Sequence, residues 1–278
     1  MVDKPAGMTS HDAVSVVRKR LGEKRVGHAG TLDPDATGVL VLGLGRATRL
    51  MRFIEVHEKE YVAGVTFGEE TTTQDASGEI VATADASQLT REDVERAATL
   101  FVGEIEQVPP MVSAVKVGGE RLYKKARRGE DVERAPRRVQ IDEISVEDFE
   151  PGSRARSRLR VRCSRGTYIR TLAHDLGRAL EVGGHVATLR RIRVGTFGES
   201  TAVALDGISP DEVLPITQAV SAYPSRTVGE DAARAIVHGK SLPAFHIAGP
   251  YAVIGPAGLV SMSEDRGDES RPICVVGA

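Results

Sequence analysis

The chain has 278 residues, 41% hydrophobic and 27% charged, a composition that excludes a disordered polymer, a coiled coil and a collagen-like repeat. Two cysteines exclude a disulfide framework and a cysteine-rich zinc site. No apolar run reaches the roughly 18 residues of a membrane span; Met1-Val2-Asp3-Lys4-Pro5 lacks the apolar core of a signal peptide, so the expected compartment is the cytosol.

Residues 9–22 read as a helix that Ser10 can cap, with Val14, Val17 and Leu21 on one face and Gly22 at its end. A Gly-rich loop follows, and Gly38-Val39-Leu40-Val41-Leu42-Gly43 reads as a buried strand or the start of a helix. Tyr61, Ala63, Val65 and Phe67 alternate as in a strand, and Gly68–Gly78 reads as a long polar loop. Thr90 and Asp93 form a cap signature ahead of Val94, Ala97, Ala98 and Phe101. In 156–163 the arginines at 156, 158, 160 and 162 share one face and Ser157, Leu159, Val161 and Cys163 the other. Ile169, Leu172, Ala173, Leu176 and Leu180 then mark an amphipathic helix. Beyond Pro210, Pro215 and Pro224, short apolar runs at 253–254, 259–260 and 273–276 suggest a small β-rich piece. Strands and helices do not alternate regularly, so the expected class is α+β with a largely antiparallel mixed sheet flanked by helices.

The net charge of −2 conceals a division. Between Lys116 and Arg138 nine Lys/Arg face four Asp/Glu, and between Arg154 and Arg193 eleven arginines face Asp175 and Glu181. From Glu199 onward ten acids face five bases. A concentrated basic middle is the footprint of a polyanion partner, most often nucleic acid. The arginine face at 156–162 reads equally well as a phosphate contact or as a solvated strand face.

Several chemistries lack their motif. Gly43-Leu44-Gly45-Arg46-Ala47-Thr48 fits neither a phosphate-binding loop nor a dinucleotide fingerprint, His57-Glu58-Lys59-Glu60-Tyr61 lacks the second histidine of a zinc protease, and no nucleophile elbow occurs. No metal or nucleotide cofactor is expected. The densest unusual stretch is Gly27-His28-Ala29-Gly30-Thr31-Leu32-Asp33-Pro34-Asp35-Ala36-Thr37-Gly38. Glycines at 27, 30 and 38 permit positive φ, and Pro34 restricts Asp33 to extended backbone. A carboxylate on such a loop can serve as nucleophile or general base, or bond its own backbone in a turn. Arg170, off the apolar stripe of its helix, can pair with a carboxylate or phosphate or lie on the surface.

These residues resemble the TruB-type tRNA pseudouridine-55 synthases, including actinobacterial ones. Lys4-Pro5-Ala6-Gly7-Met8-Thr9-Ser10 is similar to the family's first motif, and 27–40 to its central one. Lys59-Glu60-Tyr61, Val108-Pro109-Pro110-Met111-Val112-Ser113-Ala114, Gly166-Thr167-Tyr168-Ile169-Arg170 and His185-Val186-Ala187-Thr188-Leu189-Arg190-Arg191 follow in family order. The resemblance implies a pseudouridine synthase fold: a catalytic domain over 1–215, with an RNA-gripping insertion at 107–138, and a small PUA-like domain over 225–278. It implies isomerisation of a uridine extruded from the T-loop of tRNA, at position 55, with Asp33 as nucleophile attacking either the sugar C1′ or the base C6. Arg170 would hold Asp33 ionised. Tyr61 would stack on the base, and His28 would fill the space vacated in the RNA. Tyr168 and Leu189 would complete the pocket wall, with Lys4, Gly30 and Pro34 supporting the catalytic loop. Tyr61, Tyr168 and Leu189 also read as plain packing residues. The implied partner is the tRNA T-arm, bound by a monomer without a cofactor, metal or membrane. Relatives carry more apolar strand ahead of Asp3-Lys4-Pro5, so the first strand is expected to be truncated or short. The alternative is a noncatalytic RNA-binding or tRNA-folding factor using the same cleft.

Overall fold

The computed structural model describes residues 1–113, 116–122, 125, 128, 130 and 132–277. Internal contacts group the chain into one unit of Met1–Pro34, Gly38–His57 and Val194–Ala278, and another of Asp35–Thr37 and Glu58–Arg193.

In the first unit, helix Ser10–Leu21 starts from a capping box. The Thr9 hydroxyl accepts the Asp12 N–H at 3.1 Å, and the Asp12 carboxylate accepts the Thr9 N–H at 2.9 Å. The cap is therefore Thr9 and not Ser10, because the hydroxyl of Ser10 is engaged across the fold by Leu32. The helix ends as expected at Gly22, in left-handed backbone with φ +63°. Ala13, Val14 and Val17 form its buried face. Strand Val2–Lys4 runs antiparallel to Thr37–Leu44, pairing Val2 with Leu40, and parallel to Val203–Ala204. Strand Val26–Ala29 pairs antiparallel with the far half of Thr37–Leu44. Ala29, Val39, Val41, Met51, Ile54, Val194 and Phe197 share one apolar cluster.

The C-terminal sheet has the strand order Ser225–Thr227, Tyr251–Gly255, Gly258–Arg266, Glu269–Val275, Leu242–Pro243. Only the first pairing is parallel. Helix Glu230–Val237, which lies among residues read as turns, sets Ile236 against Tyr251, Val253 and Val260. The other face shares a core with Leu50 and Phe53. Tyr223 donates to the Phe53 carbonyl at 2.7 Å, and Arg49 donates to the Val275 carbonyl at 2.9 Å. Burial of this apolar surface groups the C-terminal piece with Met1–Pro34 and Gly38–His57.

In the second unit the strand order is Gly184–Val194, Lys59–Phe67, Arg156–Cys163, Arg137–Glu150, Gly103–Gln107. The last four pair antiparallel. Arg156–Cys163 obeys the predicted period of two, with Ser157, Leu159, Val161 and Cys163 buried. Helices Arg91–Thr99 and Ile169–Ala179 lay Val94, Ala97, Ile169, Leu172, Ala173 and Leu176 on the core of this sheet. Thr90 and Asp93 form the predicted capping box. A Cβ on Gly177 would sit 2.3 Å from backbone atoms of Gly183 and Gly184, so a glycine there permits the close crossing into the next strand. The expected polar loop at 68–78 is partly a hairpin, Glu69–Thr71 against Ile80–Thr83. Exposure of all four residues in the second strand hid it from pattern reading.

Candidate active site

The loop that carries Asp33 is fixed through its neighbours. Lys4 is fully buried, and its ammonium donates to the carbonyls of Pro5 at 2.8 Å, Met8 at 2.7 Å and Pro34 at 2.9 Å. A buried ammonium must find such acceptors, so the chain folds around it. Gly7 N–H adds a bond to the Pro34 carbonyl at 3.1 Å. On the other side, the Ser10 hydroxyl accepts the Leu32 N–H at 2.9 Å and donates to the Leu32 carbonyl at 3.1 Å. Leu32 is buried, whereas Asp33 is half-buried and Pro34 exposed. Gly30 takes the left-handed φ of +79° that a side chain would resist. Gly38 also has positive φ, but Gly27 does not, because it sits in strand Val26–Ala29 with ordinary strand backbone. His28, half-buried on that strand, pairs with Leu42.

Tyr61, Tyr168, Arg170 and Leu189 belong to the second unit. Tyr61 is half-buried on Lys59–Phe67, and both it and Leu189 pack on the large core cluster. Tyr168 caps the helix Ile169–Ala179 in extended backbone. Arg170 is not the surface arginine its position off the apolar stripe allowed, since it is 4% exposed. Nη1 donates to the Thr73 carbonyl and to Asp75 Oδ2, both at 3.1 Å, and Nη2 donates to the Val112 carbonyl at 2.8 Å.

Asp75 is the partner of Arg170 that sequence reading missed. Burial opposes its charge, but hydrogen bonds from Ser77 and Thr73 and the Arg170 guanidinium outweigh burial and hold its carboxyl below the usual range. Thr73 Oγ1 donates at 2.6 Å and Ser77 N–H at 3.0 Å. The signal was present as a Thr73-Gln74-Asp75-Ala76-Ser77 turn, but Asx turns of this kind are common. Gln107 was missed as well: its buried carboxamide bonds both backbone polar groups of Tyr168.

Two arginines of the face at 156–162, Arg160 and Arg162, meet acids on the neighbouring strands. Arg160 donates to Glu60 at 2.8 Å and Glu147 at 2.6 Å, Arg193 reaches Glu60 at 3.0 Å, and Arg162 lies 3.5 Å from Glu143. Residues 114, 115, 123, 124, 126, 127, 129 and 131 of the expected RNA-gripping insertion lie outside the described residues. Among those described, Arg134 donates to the Pro109 carbonyl at 3.2 Å, and Arg128 pairs with Glu120 at 2.8 Å and Glu130 at 2.6 Å. Among the described residues no group of three or more His, Cys, Asp or Glu is placed to hold a metal, and no helix is long and apolar enough to cross a membrane.

Three consecutive stretches match family models. Residues 18–169 match the N-terminal domain of TruB family pseudouridylate synthases. Residues 170–214 match a tRNA pseudouridylate synthase B C-terminal domain, and 223–277 a tRNA pseudouridine synthase II C-terminal domain. The chain belongs to the TruB family. It is 54% identical over 238 residues to tRNA pseudouridine synthase B of Symbiobacterium thermophilum, covering 85% of this chain and 80% of the relative. It is 45% identical over 283 residues to the protein of that name from Thermobifida fusca, covering 99% of this chain and 97% of the relative. Among solved structures, a Cbf5-Nop10-Gar1 complex matches with a TM-score of 0.75 and 28% identity over 99% of this chain and 83% of that chain. An H/ACA RNP bound to a substrate RNA containing 2′-deoxyuridine matches with a TM-score of 0.74 and 25% identity over 100% of this chain and 84% of that one. The fold is therefore the expected pseudouridine synthase fold, and the TruB chain is an isomerase that forms pseudouridine in tRNA.

Proposed function

We propose that the substrate is the uridine at position 55, in the T-loop of tRNA, and that Asp33 is the nucleophile. The observation that carries this reading is the clamp on the backbone of both residues beside Asp33. Lys4 and Gly7 hold the Pro34 carbonyl, and Ser10 holds Leu32, so the half-buried carboxylate sits on backbone that cannot drift. A carboxylate serving only as a turn former would not need two buried side chains to fix its flanks.

In this reading the T-loop uridine leaves its stack at a few kcal/mol, partly offset by contact with Tyr61 at about 1–3 kcal/mol. Asp33 attacks C1′ or C6, and the bond from N1 to C1′ breaks. The base turns, C5 bonds to C1′ in place of N1, and the bond from Asp33 to C1′ or C6 breaks, which returns the carboxylate. C5 loses its proton to solvent and N1 gains one, so the composition of the nucleoside is unchanged. Arg170 favours the ionised form of Asp33. The support for that role is the rigidity of the guanidinium, held by Thr73, Asp75 and Val112. Tyr168 and Leu189 wall the pocket, and His28 occupies the gap left in the RNA.

The test is pseudouridine mapping on an unmodified tRNA transcript. Wild type modifies the T-loop uridine, whereas Asp33→Asn binds the tRNA without modifying it. Modification by Asp33→Asn at the wild-type level would remove Asp33 from the mechanism.

A further inference from the structure

Gln107 ends the strand Gly103–Gln107, where the basic segment departs. Its side chain is nearly inaccessible, with the residue 1% exposed. A buried carboxamide must satisfy a donor and an acceptor. Gln107 satisfies both on one residue, 61 positions away. Oε1 accepts the Tyr168 N–H at 2.9 Å, and Nε2 donates to the Tyr168 carbonyl at 3.3 Å. The carboxamide does for Tyr168 what a neighbouring strand would do. Tyr168 has extended backbone, φ −100° and ψ 106°, and its side chain makes no capping bond. Its carbonyl also accepts the opening bond of the helix, from Leu172 N–H at 3.0 Å.

The same segment reaches the neighbouring arginine. The Val112 carbonyl accepts Arg170 Nη2 at 2.8 Å. Both ends of the segment meet at this point, since Gln107 pairs with Arg137 across the strands and Arg134 bonds the Pro109 carbonyl. We infer that Gln107 is a positioning residue for pseudouridine formation: its carboxamide sets the peptide of Tyr168, and with it the start of the helix that carries Arg170. The inference rests on the assignment of Tyr168 and Arg170 to the uridine site.

Two substitutions test it, in single-turnover assays at saturating unmodified tRNA with affinity measured in parallel. Gln107→Met keeps the volume and removes both hydrogen bonds. Its rate constant should fall on the order of tenfold while tRNA affinity changes by less than about threefold. Gln107→Glu keeps an acceptor but turns a second carboxylate oxygen toward the Tyr168 carbonyl. Its rate relative to wild type should rise as pH is lowered from about 8 to about 6, because a protonated carboxyl again offers one donor and one acceptor. A side chain that only fills space gives no such profile, and this arm decides the matter if Gln107→Met fails to fold.

Wild-type turnover in Gln107→Met, an equal fall in affinity and turnover, or a flat pH ratio for Gln107→Glu overturns the inference. Tyr168→Ala and Arg170→Lys separate it from the reading beneath it. Wild-type turnover in both Tyr168→Ala and Arg170→Lys removes the two residues from the site and the inference with them. A slow Tyr168→Ala beside an unimpaired Gln107→Met removes only the role of Gln107.

Discussion

The Lys4 ammonium donates to the Pro34 carbonyl at 2.9 Å, one residue past Asp33. Ser10 mirrors it at Leu32, one residue before. The two side chains come from the N-terminal segment, one ending the first strand and one opening the first helix. They hold the loop by its backbone on either side of Asp33. The first motif of the family thus has a physical reason to precede the central one. It supplies the brace on which the aspartate loop is folded.

That brace separates stability from positioning. Ser10→Ala leaves the Leu32 peptide without its two bonds, at about 1–3 kcal/mol, and should also slow turnover on the order of tenfold by loosening Asp33. Thr9→Ala removes the neighbouring helix cap at about 1 kcal/mol and should leave the single-turnover rate within about twofold. Urea denaturation of both variants, set beside their single-turnover rates, reads the difference. Equal rate losses would show that the brace acts only through the stability of helix Ser10–Leu21.

Asp75 makes stability depend on acid. Its carboxyl is held below the ordinary value of 3.8, so its folded state favours the charged form. The contribution is fully present above the unfolded value and is lost as pH falls through the lowered one. Asp75→Asn removes the titrating group and its ion pair with Arg170, at about 3–5 kcal/mol near neutral pH. Stability of the variant should therefore be lower at pH 7 and fall less steeply than wild type below about pH 4. Parallel acid titrations of the unfolding free energy would show it; superimposable slopes would remove Asp75 as a contributor.

Local rules made much of this fold legible before any coordinates. Alternation set strand Arg156–Cys163 and its buried face, and the Thr90–Asp93 signature set the start of helix Arg91–Thr99. What stayed hidden depended on distant partners. The partners of Arg170 stayed hidden because Asp75 lies 95 residues away and Val112 lies 58. Ser10 looked like a cap because that role is local, whereas its partner Leu32 is 22 residues on. Helix Glu230–Val237 was lost among flanking glycines and prolines, which punctuate pattern reading more strongly than Ala233 and Ile236 sustain it. For the candidate site, the motif singled out the aspartate loop, and geometry added the partners of Arg170 and Tyr168, Asp75 and Gln107.

The arginine face on Arg156–Cys163 was open to two readings, and the acids around it favour one of them. A guanidinium that releases counterions from RNA contributes to the salt dependence of binding, roughly one unit of logarithmic slope for each phosphate contact. Arg160 already has two carboxylates, Glu60 and Glu147, on the strands to either side. Those bonds raise its affinity for its proton, with Glu60 the larger cause and Glu147 next. A phosphate drawn to Arg160 would also meet the negative charge of both carboxylates. Arg160→Gln should therefore leave the slope of log affinity for tRNA against log salt unchanged within about 0.3 units. It should cost at most about 1 kcal/mol of stability, since the Arg160 side chain is 43% exposed and such pairs are screened. Filter binding across a salt series measures the slope directly. A slope shallower by a full unit would assign Arg160 to a phosphate and make its ion pairs a resting arrangement that RNA replaces.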